Sequence, residues 1–172
     1  MPKIIKDLNK KILGEAKKLL LEQGVRDMSV RELAQRCGIA VGTVYNYYES
    51  KEILIAEIMM ADWDSTVQKA KRGIAKAKSG VDGMEVIYNA IKSFFSVYNK
   101  VFDSFKKTLY VPAEYHKRLI EEVIELEKHN FEHFPCAMEP APYKFLAENI
   151  MHAVTQGRMD FDELRPVLER IL

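Results

Sequence analysis

Residues Gly38–Leu54 read GIAVGTVYNYYESKEIL, and three tyrosines and one asparagine fill the four positions from 45 to 48. Gly38 can adopt the positive φ of a tight turn, and residues 41–47 have the length of one short helix. On that helix Val44 and Tyr48 share one face, which we expect to be buried in a core. Tyr45, Asn46 and Tyr47 lie on the remaining surface, so the question is what they contact.

The residues just before this stretch predict a second short helix. Ser29 followed by Glu32 is a capping box ahead of apolar Leu33, and the helix should end near Cys37. Two short helices joined by a glycine-containing turn form the helix-turn-helix layout. In that layout the second helix enters the major groove of DNA with its N-terminal residues leading.

The side chains of the second helix suit such a role. Gly42 lets the backbone approach closely, and Thr43 offers a hydroxyl to phosphate and a methyl to thymine. Tyr45 can reach a phosphate from the flank, and Lys51 adds a cation at the start of the next helix. The alternative from pattern alone is an ordinary pair of packed helices, because aromatic residues at helical spacing are commonly core.

Residues of about 10–54 resemble the DNA-binding head of the TetR family of transcriptional repressors. The resemblance is carried by GTVYNYY at 42–48, ESKEIL at 49–54, SVRELA at 29–34 and CGI at 37–39. It implies an all-α fold, with a three-helix head that contains the helix-turn-helix. A helical-bundle body for ligand binding and dimerisation would follow, with the head at 1–50 and the body at 51–172.

The resemblance also implies roles for individual residues of the head. Base or phosphate contacts are implied for Val41, Gly42, Thr43, Tyr45 and Asn46. Phosphate contacts are further implied for Ser29, Arg31, Tyr47 and Lys51. Many family members have serine and lysine where this chain has Ala40 and Val41, so the operator sequence stays open and the valine could meet a thymine methyl.

Composition and charge fit a DNA-binding head on a water-soluble chain. The net charge of the 172 residues is +1, but ten basic and six acidic residues in positions 1–51 leave +4 there and −3 in the remainder. The two cysteines are far apart, which argues against a disulfide framework. We expect a cytoplasmic protein with no cofactor, no resident metal and no membrane span.

Apolar periodicity and glycine or proline breaks predict helices through the rest of the chain. We expect one helix from Ser50 towards Trp63, a polar one from Asp64 to Lys78, and interruptions at Gly80 and Gly83. Further helices are expected at about 84–105, 113–134, 143–156 and 160–172. Pro166 indicates that the last helix either begins near it or is kinked.

The central helices of the body carry a dense set of aromatic residues, which predicts a small, mostly apolar ligand. The candidate ligand-binding residues are Phe94, Phe95, Tyr98, Phe102, Tyr115, His116 and Phe131. For any one of these residues, packing in an ordinary core is the favoured interpretation.

The last two helices present apolar faces too wide for a small body to cover, which predicts an isologous homodimer. The candidate interface residues are Tyr143, Leu146, Ile150, Val154, Leu164 and Leu168.

Competing functions have weaker support. Glu125, His129 and His133 recur every four residues with metal-ligand spacing, but a solvated helix face explains them as well. Cys136 lies near His133 without a group to orient the pair, and Cys37 fits an apolar stripe, so an enzyme is not expected. The sequence therefore predicts a repressor released from a palindromic operator by a small ligand. The alternative is a DNA-binding regulator without a small ligand, constitutive or controlled by a protein partner.

Overall fold

The computed structural model describes residues 8–108, 113–135, 143–157 and 159–172; for residues 102–108 and 113 it describes the backbone alone. Within these residues the secondary structure is helical, with no strand, which confirms the all-α prediction. The helices are α1 Leu8–Asp27, α2 Val30–Cys37, α3 Val41–Tyr47, α4 Lys51–Ile74, α5 Gly80–Thr108, α6 Ala113–His133, α7 Tyr143–Gln156 and α8 Phe161–Ile171.

The described residues divide into two compact units. The head unit holds the residues up to Ala61 together with Asn99–Thr108, and the body unit holds Asp62–Tyr98 and the residues from Ala113 onward. The division falls inside α4, which is one continuous helix of 24 residues. The domain boundary after residue 50 stays a prediction.

The head unit is built on apolar stripes of α1, α2 and the first turns of α4. Its largest fully buried side chains are Ile12, Leu19, Met28, Leu33, Leu54, Ile55 and Ile58. Gly24 breaks α1 with φ of 80°, and its carbonyl accepts a hydrogen bond from the backbone N–H of Met28 at 3.1 Å.

The helices of the body unit differ from the prediction at two places. The stretches predicted on either side of Asp64 are one helix, and α5 begins at Gly80 and continues through Gly83 instead of breaking there. The reason at Gly83 is packing: a Cβ at this position would lie 2.7 Å from Cγ of Asn130 on α6. Gly83 therefore permits close approach of two helices and does not end one.

Polar contacts attach α8 to the first turns of α5. Arg165 forms ion pairs with Asp82, at 3.2 Å, and with Glu85. Tyr88 donates a hydrogen bond from its hydroxyl to the carbonyl of Met159 at 2.9 Å. Asp160 is the N-cap of α8, and its backbone N–H donates to Glu163 at 2.9 Å. The helix thus begins before Pro166, which lies inside it.

Two further findings bear on the sequence predictions. No helix among the described residues is both long and apolar enough to cross a bilayer. The proline-rich loop that carries Cys136 lies outside the described residues.

Candidate nucleic-acid interface

The turn between α2 and α3 is fixed by caps and by one glycine. The side chain of Ser29 accepts a hydrogen bond from the backbone N–H of Glu32 at 3.5 Å, as predicted for an N-cap. Gly38 has φ of 69° and donates to the carbonyl of Gln35, while Ile39 donates to the carbonyl of Ala34, both at 3.0 Å. These bonds satisfy the last carbonyls of α2 and set the direction in which α3 starts.

Of the two hydrogen bonds of the predicted capping box, the described residues show the one from the Glu32 backbone to Ser29. The side chain of Glu32 has other partners. The carboxylate of Glu32 accepts from the side-chain amide of Gln23 at 3.0 Å and from Arg36 at 2.8 Å. Arg36 also donates to Glu22 at 3.0 Å, and these two acidic partners, Glu22 first, raise its pKa. Arg36 is therefore committed to joining α1 and α2 and is a poor candidate for a phosphate contact.

Helix α3 separates its residues into two faces. Val44 is 1% exposed and Tyr48 is 6% exposed, which confirms that both belong to the core. The hydroxyl of Tyr48 donates to the side-chain oxygen of Asn9 on α1, and burial raises its pKa to about 12. By contrast Tyr45 and Tyr47 are 47% and 49% exposed. The exposed rings cover a surface that the fold of the free chain does not use.

The other candidate contact residues of the head lie at or near the surface. Those classed as exposed are Ser29, Arg31, Val41, Gly42, Asn46, Tyr45 and Tyr47, while Thr43 and Lys51 are half-buried. Lys51 donates from Nζ to the carbonyl of Arg26 at 3.4 Å, a long bond that leaves two ammonium donors available. Residues on α2, on α3 and at the start of α4 thus offer hydroxyl, phenol, amide and cationic groups at or near the surface.

Cys37 is part of the head core, as expected, with 1% of its surface exposed. Burial raises the pKa of its thiol, so the reactive thiolate is disfavoured. The residue packs as a small apolar side chain.

The candidate ligand-binding residues of the body unit have different environments. Phe94, Tyr98 and Phe131 are buried, Phe95 and Tyr115 are half-buried, and His116 is exposed. The hydroxyl of Tyr98 donates a hydrogen bond to Asp62 at 2.6 Å. Burial is the main cause that raises the pKa of Tyr98, and the Asp62 carboxylate raises it further. The side chain of Phe102 lies outside the described residues.

The candidate dimer residues also divide by burial. Ile150 and Leu168 are each 4% exposed within a single chain, while Tyr143, Leu146, Val154 and Leu164 are half-buried. Tyr143 stacks on Phe131 of α6, with ring centroids 5.5 Å apart. The most exposed apolar side chains of α7 and α8 are Phe145, Val167 and Ile171.

The residues with metal-ligand spacing on α6 do not converge. Nδ1 of His133 lies 2.9 Å from the carbonyl of His129, and Glu125 pairs with Lys128 at 2.7 Å. Among the described residues no three carboxylate, imidazole or thiol groups come close enough together to hold a metal ion.

Sequence reasoning missed a set of buried polar groups in the body unit. Glu127 and Asn130 on α6 and Trp63 on α4 are fully buried, and each has a polar atom without a hydrogen-bond partner among the described residues. The available signal was the position of Glu127, four residues after Val123 and four before Phe131. A glutamate inside an apolar stripe is unusual.

Comparison with known proteins places the head in a family. Residues 12–58 match the family model described as bacterial regulatory proteins, tetR family. The head therefore resembles the DNA-binding domain of this family. The matched range contains α2, α3 and the start of α4, together with most of α1, so the family match and the helix-turn-helix geometry cover the same residues.

Individual helix-turn-helix transcriptional regulators are similar to the chain over part of their length. The Escherichia coli K12 transcriptional regulator UidR is 25% identical over 104 residues, which are 60% of this chain and 50% of UidR. The Rhodococcus jostii transcriptional repressor KstR2 is 34% identical over 71 residues, which are 41% of this chain and 33% of KstR2. The matched residues thus span half of the length of UidR and a third of the length of KstR2.

The solved structure of a transcriptional regulator extends the likeness in fold to the body. The Bacillus subtilis regulator FadR, crystallised with stearoyl-CoA, superposes with a TM-score of 0.58 at 14% identity. The superposition covers 92% of this chain and 94% of that one. At this identity the likeness concerns the helical architecture.

Proposed function

We propose that the chain is a homodimeric transcriptional repressor that binds a palindromic DNA operator and is released from it by a small, mostly apolar ligand. The observation that carries this proposal is the division of α3, with Val44 and Tyr48 in the core and Tyr45 and Tyr47 about half exposed. A short helix that holds two phenol rings in water needs a partner surface, and the family match supports duplex DNA.

In the proposed complex, the start of α3 enters the major groove. Val41, Gly42, Thr43, Tyr45 and Asn46 contact bases or nearby phosphates, and Ser29, Arg31, Tyr47 and Lys51 contact the backbone. The geometry of the free chain is compatible with these roles. The hydroxyl of Ser29 still has its proton to donate after capping α2, and no ion pair with another described residue competes for Arg31.

A palindromic operator requires two heads related by a twofold axis, which a homodimer supplies. We assign the dimer contact to the exposed apolar side chains of α7 and α8, since Phe145 is 69%, Val167 is 54% and Ile171 is 52% exposed. Half-buried Leu146, Val154 and Leu164 would complete the interface, with Tyr143, Ile150 and Leu168 behind them. Twofold pairing of terminal helices gives an isologous four-helix contact and sets the spacing of the two heads.

Selection of bound duplexes from a random library tests the DNA-binding part. We expect an inverted repeat with half-sites roughly one helical turn apart and binding that weakens steeply with salt. An asymmetric consensus, or no enrichment at all, would contradict the proposal.

Light scattering tests the dimer. We expect the wild type to be a dimer at micromolar concentration. The Phe145→Arg variant should be a folded monomer with reduced operator affinity. Gln156→Arg, which adds the same charge at an exposed polar position of the same helix, should stay dimeric. A wild-type monomer would rule out the interface. Ile150 is unsuitable for this test, because a charge there would disrupt the core of one chain.

The ligand part of the proposal rests on the aromatic groups of α4–α6 and on the ligand-bound FadR structure of the same fold. A ligand releases DNA by the difference in its affinity for the free and the DNA-bound protein, and a tenfold effect requires about 1.4 kcal/mol. A thermal-shift screen of apolar and cationic compounds, followed by operator competition, tests this part.

A regulator without a small ligand is the second candidate. The observation in its favour is that Phe94, Tyr98 and Phe131 are at most 7% exposed, as expected of a closed core. A screen without stabilising compounds, combined with unimpaired operator binding, would favour this candidate.

A further inference from the structure

Glu127 is an ionisable residue inside the apolar stripe of α6. Its side chain is fully buried, as is that of Val123 one turn before it, and Phe131 one turn after it is 7% exposed. Carboxylates are rarely buried unless they are paired, because losing water costs the charged form much free energy. An explanation is therefore needed for a glutamate at this position.

Neither carboxyl oxygen of Glu127 has a hydrogen-bond partner within the part of the chain that the structure describes. The same is true of the side-chain oxygen of Asn130, which lies one turn further along the same face. The amide of Asn130 cannot be reversed, since its Nδ2 donates to the carbonyl of Gly80 at 2.9 Å. Three acceptor oxygens on one face of α6 are thus buried without a donor among the described residues.

The packing around Asn130 keeps its oxygen in place. A Cβ at residue 83 would collide with this oxygen and lie 2.7 Å from Cγ, so the glycine allows the amide oxygen to lie directly against α5. The amide nitrogen is held by its hydrogen bond to the carbonyl of Gly80, also on α5, which restricts rotation of the amide. The acceptor is therefore preorganised, which lowers the entropic cost of binding a donor.

Burial also raises the pKa of Glu127 to about 9, so the side chain is a neutral acid at pH 7 when nothing accompanies it. A cation placed beside it reverses this preference by favouring the carboxylate. The site is then electrically neutral in both states, as an acid alone or as an ion pair.

We propose that Glu127 and Asn130 form the polar end of a ligand site inside the body unit, and that its ligand carries a primary ammonium group on an apolar body. The ammonium has three N–H donors for three acceptor oxygens, and the apolar stripe of α6 suits the remainder. On binding, the proton of the Glu127 carboxyl passes to solvent and the carboxylate pairs with the cation. This inference rests on the proposed control of the regulator by a small ligand, whose chemical class it specifies.

The test uses 2-phenylethylamine as the probe and 2-phenylethanol as its neutral counterpart of nearly the same shape. Trp63, the only tryptophan, is buried in the same unit, so its fluorescence reports binding to the intact protein. We expect the amine to bind the wild type at least about tenfold more tightly than the alcohol, as a charge-assisted hydrogen bond implies.

Three variants identify the role of the carboxyl group. Glu127→Gln should weaken the amine about tenfold and leave the alcohol unchanged. Glu127→Leu should also lose the preference for the amine, and its thermal stability should equal or exceed that of the wild type, since an unpaired buried acid is removed. Glu125→Gln is the matched control, because Glu125 is exposed on the same helix and pairs with Lys128.

Infrared difference spectra provide an independent measurement. Amine binding should remove the absorption of a protonated carboxyl, and Glu127→Gln should lack that signal. The proposal is overturned if the amine and the alcohol bind equally, if Glu127→Gln binds the amine like the wild type, or if millimolar amine does not bind. A crystal structure with amine present that shows only a water molecule at these oxygens would also overturn it.

Operator competition separates this inference from the proposed function. If the amine binds through Glu127 but does not release the operator, the site stands and its role as the effector site fails. If another compound releases both wild type and Glu127→Leu from the operator equally, ligand control stands and this ligand class is wrong.

Discussion

Tyrosines at helical spacing have opposite environments in the head and body units. Tyr45 and Tyr47 of α3 are 47% and 49% exposed, whereas Tyr98 of α5 is 1% exposed and donates to Asp62. The difference follows from the neighbours on the same helix face. Gly42 and Thr43 beside the α3 rings bury little surface, while the α5 ring lies one turn from Phe94, with centroids 5.2 Å apart. Aromatic periodicity alone therefore indicates a buried face or a binding face, and the adjacent residues decide between them.

The largest effect expected from this comparison is the loss of stability on removing the buried ring. Tyr98→Ala should reduce the free energy of unfolding by about 3–5 kcal/mol, the range for deleting a fully buried aromatic side chain. Tyr98→Phe keeps the ring and loses only the hydrogen bond to Asp62, so a loss of about 1 kcal/mol is expected. Urea denaturation measures both. Equal losses for the two variants would show that the hydroxyl, and not the buried ring, stabilises this region.

Two glycines sharpen the comparison, Gly42 inside α3 of the head unit and Gly83 inside α5 of the body unit. Gly83→Ala in α5 places a methyl against Asn130, so overpacking of about 1–3 kcal/mol should exceed the gain of about 1 kcal/mol in helix propensity. Gly42→Ala in α3 meets no atom within 4 Å, so stability should be unchanged or slightly higher. Thermal denaturation compares the two.

The two glycine variants should differ in the opposite way in their affinity for the operator. Gly42→Ala should weaken operator affinity if the α3 backbone approaches the DNA closely, and the remaining folded Gly83→Ala protein should bind normally. A Gly42→Ala variant with wild-type affinity would show that α3 docks less closely than we propose.

The sequence was most informative where local chemistry sets the structure. Ser29, Gly38 and Ser50 act through caps and turns within a few residues, so the bounds of α3 agree with the prediction and α2 ends at Cys37. The predicted interruption at Gly83 was wrong, because the role of this glycine depends on Asn130, which is 47 positions away in the chain. A glycine that ends a helix and one that admits a neighbouring helix cannot be distinguished before the packing partner is known.

Glu127 shows the same limit for the candidate ligand site. Its place in an apolar stripe is visible in the sequence, but the lack of a partner for both oxygens is a property of the packed unit. Aromatic content predicted Phe94 and Tyr98 as ligand-binding residues. In the structure Phe94 packs against Trp63, and Tyr98 donates a hydrogen bond to Asp62. The polar groups that would orient a ligand lie one helix further on.

A smaller effect is expected from the exposed rings. Tyr45→Ala should weaken operator binding by about 1–3 kcal/mol and change the free energy of unfolding by less than about 0.5 kcal/mol. Fluorescence anisotropy with the selected duplex, combined with urea denaturation, measures both quantities. If stability falls and affinity does not, Tyr45 belongs with Tyr98 as a structural residue, and the contrast between the two units is lost.

The smallest effect should come from Lys51, which contacts the phosphate backbone in the proposed complex. Lys51→Ala should weaken operator and unrelated duplexes by a similar factor, and the slope of log affinity against log salt should fall by about 1, because one fewer counterion is released. Lys69→Ala is the matched control, since Lys69 is an exposed lysine of the same helix in the body unit. Anisotropy titrations at several salt concentrations provide the measurement. A loss confined to the operator would indicate that Lys51 reads a base, and equal effects of Lys51→Ala and Lys69→Ala would place the DNA elsewhere than on the exposed face of α3.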